Sequence, residues 1–441
     1  MVAASKLVHD LKLSSVVPAK IAGDNRAREL TGLDLAVKLH YLRGVYFFHG
    51  TAEDVPLRIE SLKEPMFRWL ETSYPAAGRI RRAEDRVAGG GGRPFVKCND
   101  GGVRIVEARS EKTVDEWLAM EDHANIDGKV LAYDQVLGPD LGFTPLVFVQ
   151  FTWFKCGGMS VGLSWAHVLG DLFSASSFMN MWGRVMAGHA SPSPNSTIDG
   201  AASTSRPPRS TAIVVSSLRQ VEPVGDHWIT TSNRTTMRTH TFHLTSHRVC
   251  RVLPPNGNRP SCFYVLSALL WKCISKIRGV DWPRAVTVVY SGSPYDRCYL
   301  PGNHMAVGTV EAGDSPVSVS DVAELASWME KHTVSENQRI EEMAGRDGGG
   351  KPSDYTLYGA NLTFVDLEYA DIYGLELKGQ KPAYASYTIH GVGDEGVILI
   401  LPWKGVGVGK RGMNGWTITA TLPGNEGLEL QKEIKSNAAF I

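Results

Sequence analysis

The stretch Ala190 to Arg209 reads ASPSPNSTIDGAASTSRPPR and holds almost nothing that a core could bury. Ser, Pro, Thr and Ala dominate it, a composition that reads as an exposed connection. It divides the chain into two halves of roughly 200 residues each, an ordinary domain size. The boundaries that follow are a first domain over 1–189, an exposed crossover linker over 190–235 and a second domain over 236–441.

Both halves mix helices with strands. Leu146 to Phe154 is apolar and rich in β-branched and aromatic residues, so it predicts a buried strand. Lys155 to Gly158 supplies a turn, and Met159 to Ala166 predicts a second strand beside the first. Phe178, Met181, Trp182 and Val185 then recur at helical spacing and give one apolar face. Leu57 to Tyr74 predicts a helix that stops at Pro75. In the second half, strands are expected at Thr239 to Leu244, Val286 to Tyr290, Val397 to Leu401 and Trp416 to Leu422. Helices are expected at Ser261 to Ile277 and Val322 to Thr333. No strict βαβ rhythm runs through either half, so the expectation is an α/β chain with mixed sheets.

Composition narrows the function classes. Hydrophobic residues at 43% and charged residues at 21% fit a folded globular chain. Lys plus Arg is 46 and Asp plus Glu is 46, so no cation excess exists to neutralise phosphates, and nucleic acid is not expected as a partner. No apolar run reaches the roughly 18 residues that span a bilayer. The charged opening does not read as a signal peptide. The expected location is the reducing cytosol or a cytosolic membrane face. None of the six cysteines forms a C-x-x-C pair, so neither a zinc site nor a disulfide framework is expected.

Several motifs fail on context. Gly391 to Gly396 reads GVGDEG, but it precedes the strand VILIL, whereas a dinucleotide loop must follow one; it reads as a turn. Gly405 to Lys410 lacks the first glycine of a phosphate loop, and Arg411 replaces the magnesium-binding hydroxyl. His240 and His243 fall on opposite faces of one strand, which does not suit a shared metal.

His167-Val-Leu-Gly-Asp171 sits where the strand pair hands over to the helix. A neutral imidazole there could take a proton from an attacking hydroxyl, amine or thiol. Asp171 is placed to cap the helix. A packed histidine followed by a capping aspartate fits the same spacing.

The surroundings distinguish the two. Pro145 to Asp171 (PLVFVQFTWFKCGGMSVGLSWAHVLGD), Tyr74 to Ile80 (YPAAGRI), Cys98 to Glu107 (CNDGGVRIVE), Ser261 to Lys272 (SCFYVLSALLWK) and Gly302-Asn303 resemble, in order, the BAHD acyltransferases of plants. The opening from Leu7 to Phe48 is similar more narrowly to the eceriferum/glossy subgroup. The resemblance implies a chloramphenicol-acetyltransferase-like fold of two similar domains, with an active-site channel between them. It implies His167 as general base toward acyl-CoA and a mainly structural Asp171, paired with an arginine for which Arg297 is the candidate. No metal or bound cofactor is implied; acyl-CoA is the expected substrate or ligand.

Two departures accompany the resemblance. Leu172 stands where the family has Gly after the motif Asp. The family's D-F-G-W-G segment reads here Asp371-Ile372-Tyr373-Gly374-Leu375: the Asp survives, the glycine–tryptophan–glycine core does not, and Asp371 and Gly374 are the candidate structural supports. That alteration is shared with the subgroup. The subgroup resemblance implies a role in very-long-chain acyl-CoA elongation for cuticular wax. The implied partner is a ketoacyl-CoA synthase, and the chain would reach the cytosolic face of the endoplasmic reticulum through it. The alternative is a working O- or N-acyltransferase that uses His167; a folded scaffold with a dead site is the third reading.

Overall fold

The computed structural model describes residues 7–23, 26–50, 57–82, 92–120, 130–133, 138, 140–189, 215–228, 233–250, 260–279, 282–292, 301–344, 354–404 and 415–436. Its strands form two large mixed sheets and two small ones. The first large sheet runs in the order His9–Val16, Val103–Ser110, Val147–Phe154, Met159–Ala166, Tyr41–Phe48 and Tyr384–His390. All its pairings are antiparallel except Val103–Ser110 with Val147–Phe154. Val147–Phe154 and Met159–Ala166 form the expected hairpin, with Gly157 at φ +80 in the turn. Met159–Ala166 is paired on both sides and buried along its whole length. That is why its sequence reads as almost continuously apolar.

The second large sheet runs Met237–Thr245, Gly415–Pro423, Val397–Trp403, Leu362–Asp366, Ala285–Ser291, Met305–Glu311 and Val334–Ser335. Leu362–Asp366 is parallel to both neighbours. Cys262–Arg278, capped by the Ser261 hydroxyl, packs Leu266, Leu269, Leu270 and Trp271 into its core. GVGDEG is the turn leading into Val397–Trp403. His240 and His243 pair with Ala420 and Thr417, three positions apart. His243 stacks on Trp403, whereas the His240 ring lies against Gly427.

Sheet membership does not follow the division of the chain. Tyr384–His390, from the second half, completes the first sheet beside Tyr41–Phe48. Gly44 makes this pairing possible: a Cβ there would lie 2.7 Å from the Tyr387 ring. The Tyr387 hydroxyl bonds that of Tyr46 in the slot so formed. The largest core cluster likewise joins Trp69, Phe178 and Trp182 to Tyr358, Val365 and Leu399. Trp69 and Trp182 bury their rings and still donate Nε1–H to the carbonyls of Phe178 and Leu62, at 2.8 and 3.2 Å.

The described part of the expected linker is anchored at several points. Residues 190–214 lie outside the described residues. From Val215 onward exposed residues alternate with anchored ones, and Val215, Ser217 and Leu218 are buried. The Ser216 and Ser217 amides donate to the Glu336 carboxylate at 3.0 and 2.8 Å. Arg219–Val221 pairs with Asp354–Thr356, and Trp228 is buried. A buried carboxylate and a strand partner, both distant in sequence, supply what a polar composition conceals.

Gly162 marks where the chain crosses the first sheet closely: an added Cβ would lie 1.8 Å from the Leu131 carbonyl oxygen. Backbone on both sides leaves little room to relax. Gly162→Ala is expected to lower the unfolding free energy by about 1–3 kcal/mol, read from urea denaturation. A change below about 0.5 kcal/mol would contradict this packing.

Candidate active site

His167 leaves the strand Met159–Ala166 in a short 3-10 turn, His167–Leu169. Its amide donates to the His40 carbonyl at 3.2 Å. Asp171 caps the helix Leu172–Met186, with Oδ1 accepting from the Ser174 amide at 3.0 Å. The indole of Trp165 donates to the Gly170 carbonyl at 2.9 Å and fixes the bend between the two.

A clasp from the second half holds this turn. Asp171 Oδ2 accepts from the His304 amide at 2.9 Å, and the Asp171 amide donates to the Gly302 carbonyl at 3.2 Å. The Ser174 hydroxyl donates to that carbonyl at 2.7 Å and accepts from the Gly302 amide at 3.2 Å. Asn303 Nδ2 donates to the His167 carbonyl at 2.9 Å and to Asp34 Oδ1 at 2.7 Å. Gly170 has no room for a side chain, since a Cβ would lie 2.7 Å from the Gly302 nitrogen.

Asp34 itself is prepared locally. Thr31 and Asp34 form a capping box around the helix Gly32–Ala36. Asp34 Oδ2 also faces Arg28 at 3.3 Å, and Arg28 reaches on to the Leu169 carbonyl at 2.7 Å. The Glu341 carboxylate accepts from the Gly32 and Leu33 amides at 2.7 and 3.0 Å.

His167 is 1% exposed and Tyr358 2%. Tyr358 Oη lies 2.9 Å from His167 Nε2 and 3.5 Å from Met305 Sδ. Burial pushes the His167 pKa below its usual value, against the opposing pull of the Asp171 and Asp34 carboxylates. Burial also raises the Tyr358 phenol, so this pair is neutral. His40 packs edge-on to Tyr358 and accepts from the Leu357 amide through Nε2 at 3.2 Å. Burial, then the nearby His167, lowers its pKa to about 3. A cleft of about 290 Å³, counted to its open mouth, lies beside them. Leu42, Leu172, Phe173, Met305, Asp366 and Tyr358 contribute to its wall, and His167 does not.

The expected supports divide. Asp171 is at the site but meets backbone amides; Arg297, its candidate partner, lies outside the described residues. Asp371 and Gly374 sit under the far end of the helix that Asp171 caps. The Asp371 carbonyl accepts from Asn180 Nδ2 at 2.8 Å, and a Cβ on Gly374 would lie 2.5 Å from that same nitrogen. Gly183 lets the Glu376 backbone approach the helix. Ile372, Tyr373 and Leu375 are buried in the core beneath it. Among the described residues, no group of three or more His, Cys, Asp or Glu could hold a metal ion.

A model described as the transferase family matches residues 8–291. The chain belongs to this family, the BAHD acyltransferases. Among its relatives is Protein ECERIFERUM 2 of Arabidopsis thaliana, 39% identical over 400 residues, or 90% of this chain and 92% of that protein. The crystal structure of vinorine synthase superposes with a TM-score of 0.67 at 17% identity, covering 97% of this chain and 98% of that one. TRI101 of F. graminearum, complexed with coenzyme A and deoxynivalenol, gives 0.69 at 14% identity, covering 94% and 98%. The BAHD fold of two α/β domains with mixed sheets is therefore that of this chain.

Sequence reading missed Tyr358, His40, Asp34 and Arg28 as parts of the site. Only Asp34 carried a local signal, as the acidic end of the Thr31 capping box. Tyr358 is brought in by the fold from 191 residues away.

Two predictions follow from this geometry. Asp171→Ala removes a helix cap and leaves the His304 amide without its acceptor. It is expected to cost about 2–4 kcal/mol of stability in urea denaturation; a cost under about 0.5 kcal/mol would contradict the clasp. Acidification should also unfold the protein through His40. A histidine with a depressed folded pKa stabilises the fold above its unfolded pKa, and that contribution is lost as pH falls. Between pH 7 and 5 the loss from His40 alone is about 2 kcal/mol. Glu368, raised by burial and then by Asp366 from 4.5 to about 7, works in the opposite direction between those values. The stability lost from pH 7 to 5 should therefore be larger in Glu368→Gln than in the wild type. Parallel curves would contradict it.

Proposed function

We propose that this protein promotes elongation of very-long-chain acyl-CoA for cuticular wax, without acyl transfer at His167. It would act with a ketoacyl-CoA synthase of the endoplasmic reticulum, docked on that membrane's cytosolic face by the partner. The observation that carries this reading is the enclosure of His167, which is 1% exposed and absent from the cleft wall. A general base must reach within hydrogen-bond distance of the proton it removes. The altered DIYGL segment, filled with buried Ile372, Tyr373 and Leu375, supports the same reading. So do the ECERIFERUM relatives, which extend over most of the chain. Coenzyme A in a neighbour of the same fold supports acyl-CoA as the ligand class. No helix among the described residues is long and apolar enough to cross a membrane, which suits recruitment by a partner.

A second reading, an active O- or N-acyltransferase, draws on the intact His167–Asp171 motif and on the clasp that positions it. Yeast carrying a plant ketoacyl-CoA synthase separates the two. Fatty acyl chains should lengthen with the wild-type protein and equally with His167→Ala, both forms accumulating to the same level. Lengthening confined to the wild type would overturn the proposal in favour of His167 chemistry.

A further inference from the structure

Tyr358 Oη lies 2.9 Å from Nε2 of His167. That separation is the one at which an acceptor hydroxyl must sit for a histidine to deprotonate it. Tyr358 is held there from several sides. Its carbonyl accepts from the Gly393 amide at 2.9 Å, and the next residue, Gly359 at φ +83, packs on the Gly393 backbone. His40 abuts its ring edge-on, with centroids 4.9 Å apart. Its phenol also contacts Met305 Sδ at 3.5 Å. One face of this residue belongs to the cleft wall, while the histidine behind it does not line the cleft.

We propose that Tyr358 fills the acceptor's place on His167 and thereby shuts a latent acyl-CoA hydrolase. The phenol cannot serve as the acceptor itself. Burial keeps it protonated, and its rigid backbone anchor leaves it no path toward a thioester. Replacing the ring by a small side chain joins His167 to the cleft, where Nε2 offers a polar partner to an entering water. His167 Nε2 then takes a proton from water as the water oxygen attacks the thioester carbonyl carbon. The tetrahedral oxyanion collapses, the carbon–sulfur bond breaks, and its electron pair leaves with sulfur. The imidazolium returns the proton to the thiolate. The products are a carboxylic acid and free coenzyme A, and no other reactant is consumed.

The inference rests on the reading that His167 chemistry is unused in the native protein. Its failure is nevertheless distinguishable, because the chain-length experiment is done with Tyr358 in place. The test is release of coenzyme A from octadecanoyl-CoA, followed chromatographically, by the full-length wild type, Tyr358→Ala, Tyr358→Ser and each of these with His167→Ala. Circular dichroism and the melting temperature report folding. The wild type should release none above the His167→Ala background. Tyr358→Ala or Tyr358→Ser should raise release by about tenfold or more, and His167→Ala should abolish the gain. Folded Tyr358 variants no faster than wild type would overturn the proposal. So would a gain that survives His167→Ala, or His167-dependent release by the wild type. Tyr358→Ser retains a hydroxyl in the opened space and provides a second folded candidate if the alanine variant is unstable.

Discussion

The clasp between Gly302–His304 and the turn carrying His167 is the contact on which this molecule's organisation rests. It joins the backbone ahead of a strand in the second sheet to the exit of a central strand in the first. Asp171, Ser174 and Asn303 satisfy backbone groups on both sides. These groups are buried, so each bond made avoids a desolvation cost larger than the net worth of the bond itself. Most of these bonds join a side chain to backbone, which fixes register between the halves without requiring a charge pair. Gly170 completes it by letting the two backbones touch.

That rigidity can serve chemistry or merely hold a fold, and the ring environment separates the two. His167 has an engaged Nε2, a depressed pKa and no exposed face on the adjoining cleft. His40 and Tyr358 form one buried neutral cluster with it. A histidine in such a setting is packed, which supports the proposal that its proton chemistry is unused. The support beneath the helix has changed in the same direction. Ile372, Tyr373 and Leu375 are buried in the core where the family resemblance implies a glycine-rich turn. A preserved frame with a filled centre is what an accessory protein of an enzyme fold requires.

Strong periodic segments were legible in the sequence, and long-range partners were not. The hairpin ending at Ala166, the helix begun by Ser261 and the strand at Val397 follow from local pattern alone, because each buries a face that its own residues define. Tyr384–His390 escaped because its alternation is interrupted by polar residues. Its place in the first sheet depends on a slot that Gly44 opens more than three hundred residues earlier. The segment after Val215 looked like linker because its anchor is the Glu336 carboxylate. At the site, His167 and Asp171 stood out through motif and context. Tyr358 has neither, and only the fold reveals that its hydroxyl meets the histidine. Polar contacts between distant residues leave no periodicity to read.

The measurement that bears most directly on the closed site is nitrogen-15 NMR of the histidine-labelled protein, with His167 assigned by its loss in His167→Ala. An enclosed, phenol-bonded ring should titrate below the range of a solvated imidazole, and its Nε2 resonance should move in Tyr358→Phe. A ring that titrates near about 6.5 like a solvated imidazole, and does not respond to Tyr358→Phe, would contradict it.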